Sequence, residues 1–333
     1  MSAADQLNSW LLLVAGLALL LAGGGLLVRG ASSLARALGV PPLVIGLTVL
    51  AFGTSAPELA VNVAAALKGR SAITFGNVVG SNIANIGLIV GMTAMIVPLN
   101  IHRSIVVREI PVMLLVTAGT ILLALDSLFV TVPDAFHRYD GVVLLVGFVV
   151  FLFLTARSAL RDRERDRVVR EAEDEEQSHR PLGWTSASLL TAVGLGGVLL
   201  GSHWTVEGAT GVAQSLGMSQ AVIGLTIVAL GTSLPELTTS LFAALKGHAD
   251  LALGNVVGSN VFNLLFILGV SSSIRTVPIP ENGRTDLMVL GVFSAILLPF
   301  AFNQRKLVRL EGLALFIGYV AYMLWLTFLR GPA

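Results

Sequence analysis

Two short stretches place side-chain oxygens that could bind a cation in the middle of apolar sequence. They are Thr54-Ser55-Ala56-Pro57-Glu58 and Thr232-Ser233-Leu234-Pro235-Glu236. In each, a carboxylate, two hydroxyls and a proline interrupt a segment long enough to cross a bilayer. A charged side chain at the centre of a membrane helix costs at least about 2.5 kcal/mol. Two carboxylates in matching positions therefore favour a functional role.

Both stretches belong to an internal repeat. Residues 44–69 and 222–247 align without gaps at an offset of 178, with 17 of 26 positions identical. The heptapeptide Gly-Asn-Val-Val-Gly-Ser-Asn occupies residues 76–82 and recurs unchanged at 254–260, at the same offset. Such a repeat predicts two related halves.

Helical spacing puts the polar groups of each copy on one face. Thr54 and Ser55 precede Glu58 by four and three residues, so the three side chains are neighbours on a helix. Pro57 cannot donate a hydrogen bond to the carbonyl of Gly53, which predicts a bend or break there. The carbonyls that this frees are tolerated at membrane depth only where they line a cavity or are buried in protein. The second copy repeats the pattern at Thr232, Ser233, Pro235 and Glu236.

The segments that follow each stretch carry a second polar face. Asparagine and serine recur every four residues, at Asn77, Ser81 and Asn85 and again at Asn255, Ser259 and Asn263. The glycines of the heptapeptide, Gly76, Gly80, Gly254 and Gly258, predict close packing of both helices against their neighbours.

These groups form an all-oxygen set without histidine or cysteine, which suits a hard cation such as calcium. Two glutamates would balance the charge of one calcium ion. Other roles stay open: a protonated glutamate can bridge two helices, a hydroxyl can cap a broken helix, and an asparagine can join helices. The histidines fall in predicted loops or at segment edges, where no role is indicated.

Composition indicates a polytopic membrane protein. The 333 residues are 55% hydrophobic and 12% charged, with a mean hydropathy of +0.84, whereas soluble domains are about 25% charged. The net charge of +1 points to no nucleic-acid partner, and the absence of cysteine excludes disulfides and thiolate metal sites. Besides the lipid bilayer no partner is evident, and a monomer suffices.

The apolar segments predict ten transmembrane helices, at 10–28, 42–67, 72–97, 110–125, 140–156, 183–201, 221–245, 250–274, 286–302 and 310–329. We therefore expect an all-α membrane protein. A charged linker, 157–182, separates a first repeat, 1–156, from a second, 183–333. Because five spans per half is an odd number, the two halves must insert in opposite orientations, as an inverted repeat.

The distribution of basic residues predicts the orientation. With the N- and C-termini outside and the linker in the cytoplasm, 15 of the 21 lysines and arginines are cytoplasmic. No basic residue precedes the first apolar run, so we read it as a retained helix and not as a cleaved signal peptide.

The motifs GTSAPE and GTSLPE, each followed by GNVVGSN, resemble the two alpha-repeats of sodium/calcium exchangers in the cation/calcium antiporter superfamily. The short linker is most similar to the compact prokaryotic branch. The resemblance implies that Glu58 and Glu236 bind calcium, with main-chain oxygens of Thr54 and Thr232. It implies sodium sites built by Ser55, Ser233, Ser81 and Ser259, with backbone carbonyls of Ala51 and Ala229. Asn85 and Asn263 would complete the polar ring.

The function implied is exchange of sodium for calcium across the inner (cytoplasmic) membrane, by alternating access and without a cofactor. In the potassium-dependent branch an aspartate stands where this chain has Asn263, so we expect no potassium dependence. A proton/calcium exchanger is the main alternative. A cation channel is disfavoured by the two-fold repeat within one chain. An intramembrane hydrolase would need a base beside Ser55 or Ser233, and none lies at that depth.

Overall fold

The structure is a computed structural model that describes residues 3–125, 133–173, 182–216, 218, 231–302 and 305–329. Within these ranges the chain is mostly helical, as the apolar segments predict. Its helices are α1 (Ala3–Leu38), α2 (Pro42–Thr54), α3 (Ala56–Leu67), α4 (Ala72–Ala84 continuing through Asn85–Val90 and Gly91–Ile96), α5 (Ile105–Ala124), α6 (Arg138–Glu173), α7 (Trp184–Ser215), α8 (Leu234–Leu245), α9 (Ala249–Ile274), α10 (Gly283–Phe302) and α11 (Arg309–Leu324 continuing through Trp325–Leu329).

Eight of the described helices, together with the bent pair α2–α3, are long and apolar enough to cross a membrane. They correspond to nine of the ten predicted spans. The remaining predicted span, 221–245, falls partly outside the described residues, and its second half is α8. Helices α1, α6 and α7 extend well past the predicted spans 10–28, 140–156 and 183–201. An apolar run marks only the part of a helix that lies in hydrocarbon, so polar extensions escape it.

The helices that carry the heptapeptides form the centre of the molecule. In α9, 94% of the membrane-spanning window is buried inside the protein, and in α4 72% is buried. The corresponding values are 22% for α6 and 17% for α11. The repeated polar faces therefore lie in the core, surrounded by helices whose apolar side chains face outward.

Helices α1 and α7 pack antiparallel along a seam of glycines spaced by seven residues. Gly16, Gly23 and Gly30 on α1 approach Thr205, Val198 and Thr191 on α7 respectively. On α7 the seam glycines are Gly194, Gly201 and Gly208, each 178 residues after its counterpart on α1. Without a Cβ at these positions, the two backbones can approach closely.

Two short antiparallel sheets join loops that belong to different halves of the chain. Strand β1 (Leu99–Asn100) pairs with β4 (Lys306–Leu307), and β2 (Ala135–Phe136) pairs with β3 (Val277–Pro278). In each sheet the loop that follows α4 or α9 pairs with a loop that precedes the last helix of the other half. The residues of β3 lie 178 positions after those of β1, so the second sheet repeats the first with the halves exchanged.

Candidate cation site

The break predicted in the second helix is present, and it falls at Ser55. Helices α2 and α3 meet there at 46°, and Ser55 has φ −86° and ψ 8°. Pro57 lies in the first turn of α3, where its missing N–H costs no intrahelical hydrogen bond. Ser233 adopts nearly the same conformation, φ −89° and ψ 0°, with Pro235 at the start of α8. The repeated sequence thus produces the same local backbone twice and begins a new helix just before each glutamate.

Glu58 and Glu236 lie in the first turns of α3 and α8 and are buried, with 3% and 2% of their surfaces exposed. One direct contact links the two copies: the hydroxyl of Ser55 donates to Oε1 of Glu236 over 3.0 Å. The structure therefore brings a hydroxyl of the first motif to the carboxylate of the second, as a single site formed by both copies requires.

Each glutamate also has an oxygen without a partner. Oε2 of Glu58 and Oε2 of Glu236 accept no hydrogen bond in the described part of the chain, and no ion pair among the described residues includes either carboxylate. A buried carboxylate is costly unless it is paired or hydrogen-bonded. A cation between the motifs, or a proton, would remove that cost.

Thr54 and Ser240 fix the second heptapeptide next to the first motif. The Thr54 hydroxyl donates to the carbonyl of Leu50 over 3.0 Å and lies 3.4 Å from Oδ1 of Asn255. The amide of Asn255 donates to Oγ of Ser240 over 3.0 Å. Asn255 therefore connects α2, which precedes Glu58, with α8, which carries Glu236.

Asn85 and Asn263 each begin a π-helical turn, at Asn85–Val90 and Asn263–Ile267. Such turns often mark functional sites, because they widen the helix and redirect side chains. Asn85 donates to Oδ1 of Asn260 over 2.9 Å. Oδ1 of Asn263 is buried and has no partner among the described residues.

A cavity of about 500 Å³ reaches the site from one side. The polar residues Asn77, Ser81, Thr232 and Ser233 lie in its wall. Ser81, which is 7% exposed, donates weakly to Asn77 over 3.4 Å. Its counterpart Ser259 is fully buried, and its hydroxyl has no hydrogen-bond partner in the described ranges. The cavity therefore gives access to the serines of the first heptapeptide and of the second motif.

The glycines of the two heptapeptides differ. A Cβ at Gly258 would lie 2.7 Å from Cα of Leu47, and one at Gly254 would lie 2.9 Å from the carbonyl of Leu43, so close packing of α9 is confirmed. At Gly76 and Gly80 no described residue lies within 4 Å of the same position. Within the described ranges these two glycines are therefore not closely packed, and this face of α4 borders the cavity. The counterparts of Leu43 and Leu47, residues 221 and 225, lie outside those ranges.

The backbone carbonyls predicted to serve as ligands are only partly described. The carbonyl of Ala51 accepts the N–H of Ser55 over 3.1 Å and keeps a second lone pair. Ala229 lies outside the described residues. Thr232 and Ser233 lie together at the cavity.

Sequence reasoning missed three buried polar residues of this region. Asn62 donates to the carbonyl of Glu58 over 2.7 Å, Ser240 accepts from Asn255, and Asn260 joins Asn85 to Met113. The repeat contained the signal, because Asn62 and Ser240 occupy equivalent positions one turn after each glutamate.

Comparison with known proteins agrees with this geometry. The model of the family described as sodium/calcium exchanger protein matches residues 8–157 and 186–328. The sodium/calcium exchanger MaX1 of Methanosarcina acetivorans is 34% identical over 348 aligned residues, covering 96% of this chain and 99% of that protein. The inner membrane protein YrbG of Escherichia coli is 35% identical, covering 95% and 97%.

Solved structures of the sodium-calcium exchanger NCX_Mj have the same fold. One of them superimposes with a TM-score of 0.81 at 32% sequence identity, covering 98% of this chain and all of that one. The similarity therefore extends over both halves, including the helices that carry the two motifs.

Proposed function

Because the chain belongs to the sodium/calcium exchanger family, and is thus a membrane antiporter for calcium and a second cation, we propose that the second cation is sodium. In this proposal the inward sodium gradient drives calcium out of the cell. The observation that carries the cation site is the pair of buried glutamates, each with an Oε2 that has no partner in the described chain. Ser55 of the first copy also donates to Glu236 of the second.

Calcium binds between the carboxylates of Glu58 and Glu236 in our proposal, with main-chain oxygens of Thr54 and Thr232. Calcium takes 6–8 oxygen ligands at about 2.3–2.6 Å, and the two charges balance one ion. Sodium occupies sites around it, formed by the motif and heptapeptide side chains and by two backbone carbonyls. These residues are Ser55, Ser233, Ser81, Ser259, Asn85, Asn263, Ala51 and Ala229.

Competition for the same carboxylates explains exchange. When either cation is bound, the buried negative charge of Glu58 and Glu236 is neutralised, and the carrier can change its orientation. An empty site would carry two unpaired carboxylates through the low-dielectric core, which is costly. The empty carrier therefore crosses slowly, and inward sodium movement is tied to outward calcium movement.

We further propose an architecture of ten transmembrane helices in two inverted five-helix repeats, 1–156 and 183–333, with the cytoplasmic linker 157–182 between them. The exchanged loop pairings of the two sheets support this symmetry. The glycine seam supports it as well, because each contact recurs with the helices exchanged. Both carboxylates come from one chain, so a monomer is sufficient.

The proposed orientation has both termini outside and makes the cavity outward-facing. Ile73 and Asn77, near the start of α4, line the cavity together with Asp286 at the start of α10 and Leu326 at the end of α11. Positive-inside counting assigns these helix ends to the outer face. In this orientation the site is open to the outside and closed toward the cytoplasm.

Calcium uptake into proteoliposomes tests the function. Vesicles loaded with sodium and diluted into choline medium should accumulate calcium, and vesicles diluted into sodium medium should not. Glu58→Gln and Glu236→Gln should each reduce the flux to background, because a neutral amide of equal size cannot balance the cation. Calcium should raise the melting temperature of the wild type and of neither variant, since only a bound ligand stabilises the fold.

Glu207→Gln is the matched control, because Glu207 is an exposed glutamate on α7. It should transport and melt like the wild type. Calcium flux that persists in either buried-glutamate variant would contradict the ligand assignment. Uptake that ignores sodium and follows an imposed pH gradient would favour proton coupling, which the same unpaired carboxylates allow. Uptake without a gradient of either ion would indicate a channel.

A further inference from the structure

The second heptapeptide is tied to its neighbours through both of its asparagines. Nδ2 of Asn255 donates to Oγ of Ser240 on α8 over 3.0 Å. Oδ1 of Asn260 accepts from Nδ2 of Asn85 on α4 over 2.9 Å. Both asparagines are buried, with at most 1% of their surfaces exposed. Helix α9 is therefore fixed by hydrogen bonds to one helix of each half.

The first heptapeptide has the same sequence, and among the described residues its asparagines make neither of the equivalent bonds. Nδ2 of Asn82 turns back to the carbonyl of Val78 on its own helix, over 2.7 Å. Oδ1 of Asn77 accepts from the hydroxyl of Ser81, also on its own helix, over 3.4 Å. Nδ2 of Asn77 and Oδ1 of Asn82 are buried atoms with no partner among the described residues.

The unpaired atoms near Asn77 are complementary. At the 178-residue offset, the bond from Asn255 to Ser240 corresponds to a bond from Asn77 to Asn62. Oδ1 of Asn62 is a buried acceptor that has no partner in the described chain, and Nδ2 of Asn77 is the corresponding donor. The two atoms that symmetry would join are thus the two atoms left unpaired.

The same holds for Asn82. The bond from Asn85 to Asn260 corresponds to a bond from Asn263 to Asn82, in which Oδ1 of Asn82 would be the acceptor. That oxygen is unpaired in the described part of the protein. Asn62 and Asn82 have no exposed surface, so solvent in the cavity does not reach them. Buried polar atoms without partners are rare, and each one needs a physical reason.

We propose that Asn77, Asn82, Asn255 and Asn260 are positioning residues that exchange hydrogen-bond partners between two states of the carrier. The inference rests on the proposed antiport function. In the present state the second heptapeptide is locked and the first borders the cavity. In the opposite state Asn77 binds Asn62 and Asn82 binds Asn263, while the second heptapeptide is released and borders a cavity on the cytoplasmic side.

The exchange acts on the cation site through the helices it locks. Asn255 contacts Thr54 over 3.4 Å, next to the break before Glu58. Asn62 donates to the backbone carbonyl of Glu58. The partner of Asn255 in the lock, Ser240, lies on α8 with Glu236, and Asn62 lies on α3 with Glu58. Each lock therefore touches a helix that bears one of the two carboxylates. Because one lock forms as the other opens, neither state has a net advantage in hydrogen bonds, and a bound cation can shift the balance.

Two equivalent positions can report the state of the carrier. Val61 lines the cavity and is 45% exposed, whereas Thr239, its counterpart, is fully buried. The chain has no cysteine, so Val61→Cys and Thr239→Cys each give a single thiol. The ratio of their reaction rates with a water-soluble maleimide, in detergent-solubilised protein without calcium, measures the relative population of the two states.

Variants of the two acceptors should shift this ratio in opposite directions. Ser240→Ala removes the acceptor of the Asn255 bond and so destabilises the present state. Labelling of Thr239→Cys should then rise relative to Val61→Cys by about fivefold, the factor expected for one hydrogen bond. Asn62→Ala removes the acceptor of the opposite state and should lower the ratio by about the same factor. Asn62→Ser keeps an acceptor at this position and should restore the wild-type ratio.

A second pair of variants tests the same exchange if either variant of the first pair fails to fold. Asn260→Ala should raise the ratio and Asn82→Ala should lower it. A merely structural role predicts lower melting temperatures with no opposite shifts, and such a result would overturn the exchange. Calcium transport by the wild type is measured separately. A protein that transports calcium with unchanged labelling ratios would refute only this inference, whereas absent transport would refute the proposed function.

Discussion

Helices α1 and α7 meet in contacts that recur when the two halves are exchanged. A Cβ at Gly23 would lie 2.7 Å from the backbone nitrogen of Val198, and a Cβ at Gly201 would lie 2.7 Å from the backbone nitrogen of Leu20. Gly201 is the counterpart of Gly23, and Leu20 is the counterpart of Val198, at the 178-residue offset. The seam is therefore symmetric in its sequence and in its packing.

Helices α4 and α9 share a longer identical sequence and are packed differently. Gly258 lies against Leu47, whereas no residue in the described ranges lies within 4 Å of the Cβ position at Gly80. The second heptapeptide is buried throughout, and the first is partly exposed at Gly76, Asn77 and Gly80. Here the symmetry of the sequence is broken in the structure.

The difference between the symmetric α1–α7 seam and the asymmetric packing of α4 and α9 indicates which contacts can persist between two states of the carrier and which cannot. A contact that is the same under exchange of the halves fits both orientations of the carrier equally well, so the α1–α7 seam can persist through the cycle. A contact made by only one of two identical sequences belongs to one orientation. In the proposed alternating-access cycle, we therefore expect the packing around α4 and α9 to be the part that is rebuilt.

Seam glycines should show the largest effects, and equal ones. Gly23→Ala and Gly201→Ala each place a methyl group against backbone atoms, which cannot move aside as a side chain can. Overpacking of this kind costs about 1–3 kcal/mol, so both variants should melt several degrees below the wild type. Gly196→Ala is the control, because no residue that the structure describes lies within 4 Å of its Cβ position on α7. A similar loss in all three variants would disprove the special role of the seam.

The heptapeptide glycines should show a smaller and unequal effect. Gly258→Ala places its methyl group 2.7 Å from Cα of Leu47 in the present state, so it should destabilise this state and favour the opposite one. A methyl group at Gly80 meets no described residue within 4 Å. Gly80→Ala should therefore melt like the wild type, yet slow transport by obstructing the opposite state. The measurements are melting temperature and sodium-driven calcium uptake. Equal melting temperatures for the two variants would contradict the asymmetry of the core.

The fold was largely predictable, because its signals are local. Apolar runs gave nine of the described spans, and Pro57 and Pro235 placed the breaks within two residues of Ser55 and Ser233. The polar extensions of α1 and α7 were missed, since hydropathy marks only the segment in lipid. The seven-residue glycine spacing was available in the sequence, but which helix it faces depends on tertiary packing.

The sequence predicted which residues form the candidate site, but it could not predict how the two copies of the repeat differ in packing. The repeat identified Glu58 and Glu236, and the structure joins the two copies through Ser55. Identical heptapeptides predict identical surroundings, so no sequence argument could show that described residues pack closely against Gly258 and not against Gly80. Asn62 was overlooked because it differs from Ser240, although its position after the glutamate is the same.

His248, between α8 and α9, should give the smallest effect, at a place where α1 meets the core. Burial lowers its pKa below the ordinary value, and the positive charges of Arg36 on α1 and of Lys246 lower it further. Between the lowered pKa and the ordinary one, the unfolded chain binds more protons at this position than the folded chain. The free energy of unfolding should therefore decrease as the pH falls through this window. Melting curves from about pH 8 to about pH 5 should show this slope in the wild type and a flatter one in His248→Gln. An equal slope in both would mean that α1 and the core meet here without this electrostatic strain.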